Sequence, residues 1–273
     1  MLEPEMDAFV RRLVPGIEHS WKGASAEDIE DLEDQVDLEL PRFYRWFLST
    51  MGADAGPLNH LMEHFFARTI LAGYRMGDFD HRSPLLMIAR FYDPMMSTHY
   101  YYDLSRLVRN DAFVIRGRPR DGVVMAETLR DFFGSTLLET MHISTAPQCC
   151  TGVFTYSGTL KPVLDEVLFS LGFYCPIETG LYHGIYERHD MAMTCSVSVK
   201  PDNLCRLVFY IGGLDSAAIR SVLGAPKTYQ RGCQLSQARC VMHAPSFCAV
   251  LEASGRSMPG SRQQTQRCVA ESA

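Results

Sequence analysis

Apolar residues in the first 52 positions recur at the three-to-four-residue spacing of amphipathic helices. The pattern predicts a helix over 5–14, a second helix that begins at Ala26 behind the N-cap residue Ser25, and a third between Pro41 and Gly52. Pro41 is expected in the first turn of the third helix because its fixed φ suits that position. Gly52 is expected to end the same helix in a left-handed cap.

Beyond residue 84 the period changes to the alternation of β-strands. Strands are predicted over 85–92, 97–105 and 112–117, and a helix is predicted over 126–141. Asp, Asn and Pro residues between the strands favour turns and therefore a meandering antiparallel sheet. The expected fold of residues 1–145 is α+β, with N-terminal helices packed on a mainly antiparallel sheet and a closing helix.

The second half of the chain reads as strand, helix, strands, helix. Strands are predicted over 153–156, 181–189, 192–199 and 205–213, with helices over 161–173 and 214–224. This order predicts a second, smaller α+β domain over 146–252. Residues 253–273 are rich in Ser, Gln, Arg and Gly and almost free of apolar side chains, so we expect a disordered tail.

Charge and cysteine usage differ between the two halves. Residues 1–145 carry 15 basic and 23 acidic side chains, net −8, whereas 146–273 carry 11 and 9, net +2. This balance lacks the basic surface of a nucleic-acid binder. The N-terminus is acidic where a signal peptide is basic, and no apolar run is long enough to span a bilayer. We therefore expect a cytoplasmic protein with no membrane or nucleic-acid partner.

All nine cysteines lie in the second half, and an odd number without a secretion signal predicts that most of them are free, buried thiols. The tightest possible metal cluster comprises Cys233, Cys240, His243 and Cys248. It lacks the paired C-x₂-C spacing of common zinc sites, so neither a metal nor another cofactor is expected.

Catalytic motifs are absent from the sequence. It has no phosphate-binding loop of the form G-x-x-x-x-G-K-[ST], no H-E-x-x-H and no G-x-S-x-G. The expectation is a non-enzyme with no catalytic residues. A Cys–His pair in the cysteine-bearing half is the remaining enzymatic alternative, because sequence alone does not give its geometry.

Two features suggest protein binding. Residues 27–39 hold eight acids and no base, and Glu27, Asp28, Asp31 and Asp34 are the candidates for contact with a basic partner surface. The alternative is an ordinary solvated helix face.

The second feature is a run of aromatic residues on one strand. Tyr100 and Tyr102 project to one face of that strand. They are either exposed anchors for a partner protein or part of the core.

Glu33 is unusual because it lies on the otherwise apolar stripe of the second helix. A carboxylate in that position must find a hydrogen-bond donor. We expect the donors to come either from the loop holding Trp21 and Gly23 or from the backbone before Pro41.

Segment 20–52 contains a set of residues in a characteristic order: Trp21, Gly23, Ile29, Glu33, Leu40, Pro41, Tyr44, Phe47 and Gly52. The order and identity of these residues make segment 20–52 resemble the SUKH superfamily (SMI/KNR-type domains). The strands and closing helix of 85–141 are similar to the rest of that family's pattern. The resemblance covers about residues 1–145, and we expect its signature residues to be structural.

The resemblance implies a function as well as a fold. Bacterial members of the family are mostly immunity proteins of polymorphic toxin systems, and fungal members are cell-wall regulators. It implies a non-catalytic protein that binds and neutralises a cognate toxin. The eight acids of 27–39 make a nuclease one candidate toxin, because its substrate groove is basic. The alternative is a regulatory protein-protein interaction module.

Overall fold

The computed structural model describes residues 3–37, 39–77, 84–91, 99–117, 122–157, 161–199, 204–229 and 234–242. It divides into two compact units, Met1–Phe133 and Gly134–Ala273. Both units combine helices with an antiparallel sheet, so the α+β prediction is confirmed. The change of unit lies within a helix, whereas the sequence suggested a boundary near residue 145. The tail predicted over 253–273 lies outside the described residues.

The first unit begins with helices and continues into a sheet. Its helices are α1 (Pro4–Leu13), α2 (Ala26–Val36), α3 (Arg42–Met51), α4 (Asn59–Met62) and α5 (Ala67–Arg75), with 3₁₀ turns at Ile17–His19, Gly56–Leu58 and Glu63–Phe65. Its strands are β1 (Leu85–Ala89), β2 (Tyr100–Val108), β3 (Asp111–Arg116) and β4 (Val123–Ala126), followed by α6 (Leu129–Leu138). The strands pair in the order β1-β2-β3-β4, as expected for a meander.

The start of α6 corrects the sequence prediction of a helix from residue 126. Val123–Ala126 instead forms β4, which pairs with β3. The helix begins at Leu129, and the Thr128 hydroxyl accepts the N–H of Asp131 at 3.0 Å. A Val-Val pair favours a strand, and a threonine ahead of a helix favours a cap, so both local preferences support this boundary.

The core of the first unit is built around α3. Phe43, Phe47 and Trp46 are buried and surround Phe133 of α6, with ring centroids 5.9 to 6.2 Å apart. Aromatic pairs at these distances contribute attraction beyond the area that they bury. The aromatic run after Pro41 therefore fixes α3 against the closing helix.

The second unit contains a sheet with helices on one face. Gly134 follows the unit boundary inside α6, which ends in a π-turn (Glu139–Ile143). The later elements are β5 (Gln148–Ser157), α7 (Lys161–Ser170), β6 (His183–Arg188), β7 (Met191–Val199), β8 (Leu204–Gly213), α8 (Ser216–Tyr229) and β9 (Gln234–Met242). The strands pair antiparallel in the order β6-β7-β8-β5-β9.

Strand β9 was missed by the sequence analysis, because its residues do not alternate clearly between apolar and polar. It pairs with β5, whose other neighbour is β8. Phe154 of β5, Phe209 of β8 and Leu164 of α7 belong to one buried cluster, together with Ile219 and Val222 of α8. Among the described helices of both units, none is long and apolar enough to cross a membrane.

Candidate partner-binding surface on α2

Helix α2 begins where the sequence predicted. The Ser25 hydroxyl accepts the N–H of Asp28 at 3.0 Å, which satisfies one of the free amides of the first turn. Ile29 and Leu32 are buried and attach the helix to the core. The acidic residues are thereby distributed over the remaining faces of α2.

Two of the four acidic candidates are paired inside the protein. Asp28 faces Arg68 of α5 at 3.4 Å, and Asp31 faces Arg75 at 3.2 Å. Burial raises the pKa of Asp28, but the contacts with Ser25 and Arg68 together lower it by more than burial raises it. The pKa of Asp28 therefore lies below its usual value. These two carboxylates therefore join α2 to α5 and contribute little to an outward negative field.

A second set of acids on α2 is exposed. Glu27, Glu30, Asp34 and Asp37 follow one another at intervals of three or four residues, so they occupy one face of the helix. Within the described ranges none of them has a hydrogen-bond or ion-pair partner. We call these four residues the acidic stripe.

The acidic stripe shares Glu27 and Asp34 with the sequence prediction, which missed Glu30 and Asp37. Steps of three or four residues from Glu27 lead to both Glu30 and Asp37. The sequence alone does not show which side of α2 packs on α5, so this face could not be selected. The last turn of α2 contains no basic residue, and Asp37 caps its C-terminus. Negative charge at a helix C-terminus opposes the helix dipole, so Asp34 and Asp37 do not serve the stability of α2.

Glu33 has a structural role. One of its oxygens accepts the backbone N–H of Leu40 at 3.0 Å and also pairs with the guanidinium of Arg45 in α3. The donor is a backbone amide directly before Pro41, which confirms one of the two expected sources. Glu33 therefore ties the end of α2 to the start of α3.

The loop that carries Trp21 and Gly23 packs on the end of α3. The N–H of Ala24 donates to the carbonyl of Leu48 at 2.8 Å. A Cβ on Gly23 would overlap the carbonyl oxygen of Ser49, so this position requires glycine. Trp21 is half-buried, with the Arg11 guanidinium 5.1 Å from its ring centroid.

Two details of α3 differ from the prediction. Pro41 is the N-cap residue and lies just before the first turn. Gly52 has φ −71° and ψ −3°, so the left-handed cap predicted there is wrong. The requirement for glycine is steric, since a Cβ on Gly52 would lie 2.5 Å from the carbonyl oxygen of Leu48.

The tyrosine pair on β2 does not form an exposed patch. Tyr102 is fully buried, with its ring edge against Tyr44 at 5.6 Å, and burial raises the pKa of Tyr102 well above its usual value. Tyr100 is half-buried between Phe65 and Phe132, at centroid distances of 6.0 and 5.5 Å. The core interpretation holds for Tyr102, and its assignment as a partner contact is wrong.

Two carboxylates are buried near the start of α6. Asp111 accepts the backbone N–H groups of Ala112 at 2.8 Å and Arg130 at 3.2 Å, and burial raises the pKa of Asp111 to about 6. Asp131 is fully buried and pairs with Arg109 at 2.6 Å. Sequence reasoning missed both residues, because nothing local distinguishes them from surface acids.

The second unit contains a buried polar cluster. Asp165 accepts the Tyr186 hydroxyl at 2.5 Å and pairs with Lys161 at 2.9 Å, and Cys195 lies 4.0 Å from the same hydroxyl. Burial raises the pKa of Cys195 to about 12, which leaves almost no thiolate near neutral pH. This environment is the opposite of one that activates a catalytic cysteine.

Across the residues that the structure describes, no group of three His, Cys, Asp or Glu side chains is arranged to hold a metal ion. Cys149, Cys150, Cys175 and Cys195 form no disulfide bond among the described residues. Of the cluster considered in the sequence, Cys233, His243 and Cys248 lie outside the described residues, and only the backbone of Cys240 is described.

Comparison with known proteins adds no assignment. No family model matches the chain. A search of curated proteins finds no match either.

Proposed function

We propose that this protein is a non-catalytic, cytoplasmic immunity protein of the SUKH type that binds and neutralises a cognate bacterial toxin. The proposal rests on the resemblance of segment 20–52 to that superfamily. The observation that carries the binding role is the acidic stripe on α2.

The acidic stripe is suited to recognition of a positively charged surface. Its carboxylates have no internal partner among the described residues, whereas Asp28 and Asp31 on the same helix are neutralised by α5. Four acids at intervals of three or four residues are spaced by a rise of about 5 Å each along the helix. They form an elongated negative surface that steers a basic partner toward α2.

A nuclease toxin is the proposed partner class. Its active site must attract phosphates and is therefore lined with positive charge. A negative helix that occupies such a groove competes directly with the nucleic acid. The protein itself needs no nucleic-acid contact for this mechanism.

Rescue of growth tests the proposal. The probe is the toxin encoded beside this gene, expressed together with the full chain. We expect wild type to restore growth, and a variant with Glu30→Lys and Asp34→Lys to restore it poorly. The control variant has Glu63→Lys and Glu166→Lys, which change the net charge equally at exposed sites outside α2. Failure of wild type to bind or neutralise that toxin would contradict the immunity role.

A further inference from the structure

The π-turn at the end of α6 lies on the sheet of the second unit, against β7 and β8. The N–H of Ser144 donates to the carbonyl of Glu139 at 2.9 Å, which closes the wide turn. Gly212 of β8 allows the close approach, since a Cβ there would lie 2.6 Å from the carbonyl oxygen of Ile143. Such turns are rare within helices and frequently mark functional positions.

Glu139, the first residue of the π-turn, has an uncompensated side chain. Its carboxyl group is half-buried and has no hydrogen-bond or ion-pair partner in the described part of the chain. Ser135, one turn earlier, and Thr194 on β7 are also buried, and their side-chain hydroxyls have no hydrogen-bond partner among the residues that the structure describes. An ionised carboxylate in this position loses water without gaining a donor, so the neutral form is favoured.

Among the described residues, no ion pair compensates the Glu139 carboxylate. The residues of β7 on this face, Ala192, Thr194 and Ser196, do not ionise near neutral pH. Among the side chains that the structure describes, the ionisable ones of the π-turn and of the strands on this face are His142, Cys149, His183, Glu187, Arg206 and Tyr210. Burial causes the upward shift in the pKa of Glu139. The pKa of Tyr210 is also raised, mainly by burial and secondly by the negative charge of Glu139.

We propose that the π-turn is a pH-sensitive latch, which stays docked on β7 and β8 while Glu139 is protonated and is released when Glu139 ionises. Burial raises the pKa of Glu139 from 4.5 to about 7 in the docked state. Docking is therefore strongest below pH 4.5, weakens as the pH rises to about 7, and stays constant above that.

Release of the latch would also alter a neighbouring cleft. Met141 and His142 of the π-turn line a cleft of about 210 Å³. His189, Asp190 and Leu214 form other parts of its wall. The latch thus couples the ionisation of one buried carboxyl group to the shape of a surface site.

Hydrogen exchange on the full chain tests the latch. The amides of Ser144 and Ala146 are the reporters, because both donate to carbonyls of the π-turn. After correction for intrinsic rates, we expect their protection to fall at least about tenfold between about pH 5 and about pH 7 and then to level off. Glu139→Gln should keep the protection high at every pH. The control Glu166→Gln, at an exposed position of α7, should retain the wild-type dependence.

Protection that is independent of pH in wild type, or an identical pH dependence in Glu139→Gln, would overturn the proposal. If Glu139→Gln fails to fold, an NMR titration of the Glu139 carboxyl carbon in wild type tests the latch instead. A pKa for Glu139 near its usual value of 4.5 refutes the latch, whereas a pKa near 7 together with lost protection supports it.

Discussion

The carboxylate of Glu33 accepts the backbone N–H of Leu40 at 3.0 Å, directly before the proline that precedes α3. The same oxygen pairs with Arg45, so one acidic side chain joins the end of α2 to the first turns of α3. This arrangement explains why a carboxylate occupies the otherwise apolar stripe of α2. The side of α2 that carries Glu33 is therefore structural, whereas the acidic stripe on another side is available for binding.

Removal of the Glu33 carboxylate should destabilise the fold. Glu33→Ala leaves the Leu40 amide and the Arg45 guanidinium without their acceptor, and we expect the free energy of unfolding to fall by about 2 kcal/mol. Urea denaturation measures the change. Glu30→Ala, on the exposed face of α2, should stay within about 0.5 kcal/mol of wild type. Equal losses in the two variants would contradict the role assigned to Glu33.

Glycine at position 23 is required by contact with the backbone of α3. Gly23→Ala should lower the free energy of unfolding by about 2 kcal/mol or more, because the clashing atom belongs to the main chain of Ser49. Gly224→Ala is the matched control, since its Cβ meets no atom within 4 Å and alanine favours the helix there. Thermal denaturation of both variants tests this difference. A Gly23→Ala protein as stable as wild type would show that the loop moves freely away from α3.

Asp111 should make stability depend on pH. Its pKa is about 6 in the folded protein and about 3.9 in the unfolded chain, so the folded state holds the proton more tightly. Its contribution is fully present below about pH 4 and declines by about 3 kcal/mol as the pH rises through 6. Asp111→Asn removes this slope. The readout is the difference in unfolding free energy between wild type and variant from about pH 4 to about pH 7.5.

A flat difference between wild type and Asp111→Asn over that range would contradict the assignment. A constant offset is expected in any case, because asparagine offers one oxygen where Asp111 accepts two backbone amides. Glu166→Gln, at an exposed position of α7, serves as the control and should keep the wild-type pH dependence that Asp111 causes.

Thiol reactivity should distinguish the cysteines of the second unit. Cys195 is buried with a pKa of about 12, whereas Cys175 is half-buried, although burial raises its pKa also. An alkylating reagent should label Cys175 in the native protein and Cys195 only on unfolding. Peptide mapping by mass spectrometry measures both sites. Rapid labelling of Cys195 in native protein would show that the polar cluster around Asp165 is open to solvent.

Local signals in the sequence were sufficient for part of this fold. The cap at Ser25 predicted the start of α2, because a side chain that satisfies the first turn acts within three residues. The apolar stripe likewise predicted that Glu33 needs a donor, and Leu40 provides it. In both cases the interacting groups are close in sequence.

Interactions between distant residues could not be predicted in the same way. The pairing of Asp28 with Arg68 depends on the packing of α5 against α2, so the sequence did not show which acids face solvent. The alternation of residues along a β-strand does not show whether Tyr102 is exposed or buried. Its contact with Tyr44, 58 residues away in sequence, shows that it is buried. Short strands such as β4 offer too few residues for a clear period.

Electrostatic attraction between the acidic stripe and a basic toxin surface is measured most directly by the association rate of the two proteins. Rates are compared from about 50 to about 500 mM salt, over which the Debye length falls from about 14 to about 4 Å. Wild type should associate fast at low salt and slow steeply as salt rises. The Glu30→Lys, Asp34→Lys variant should be slow throughout, and the Glu63→Lys, Glu166→Lys control should follow wild type. Equal rates for wild type and the α2 variant at every salt concentration would contradict the claim.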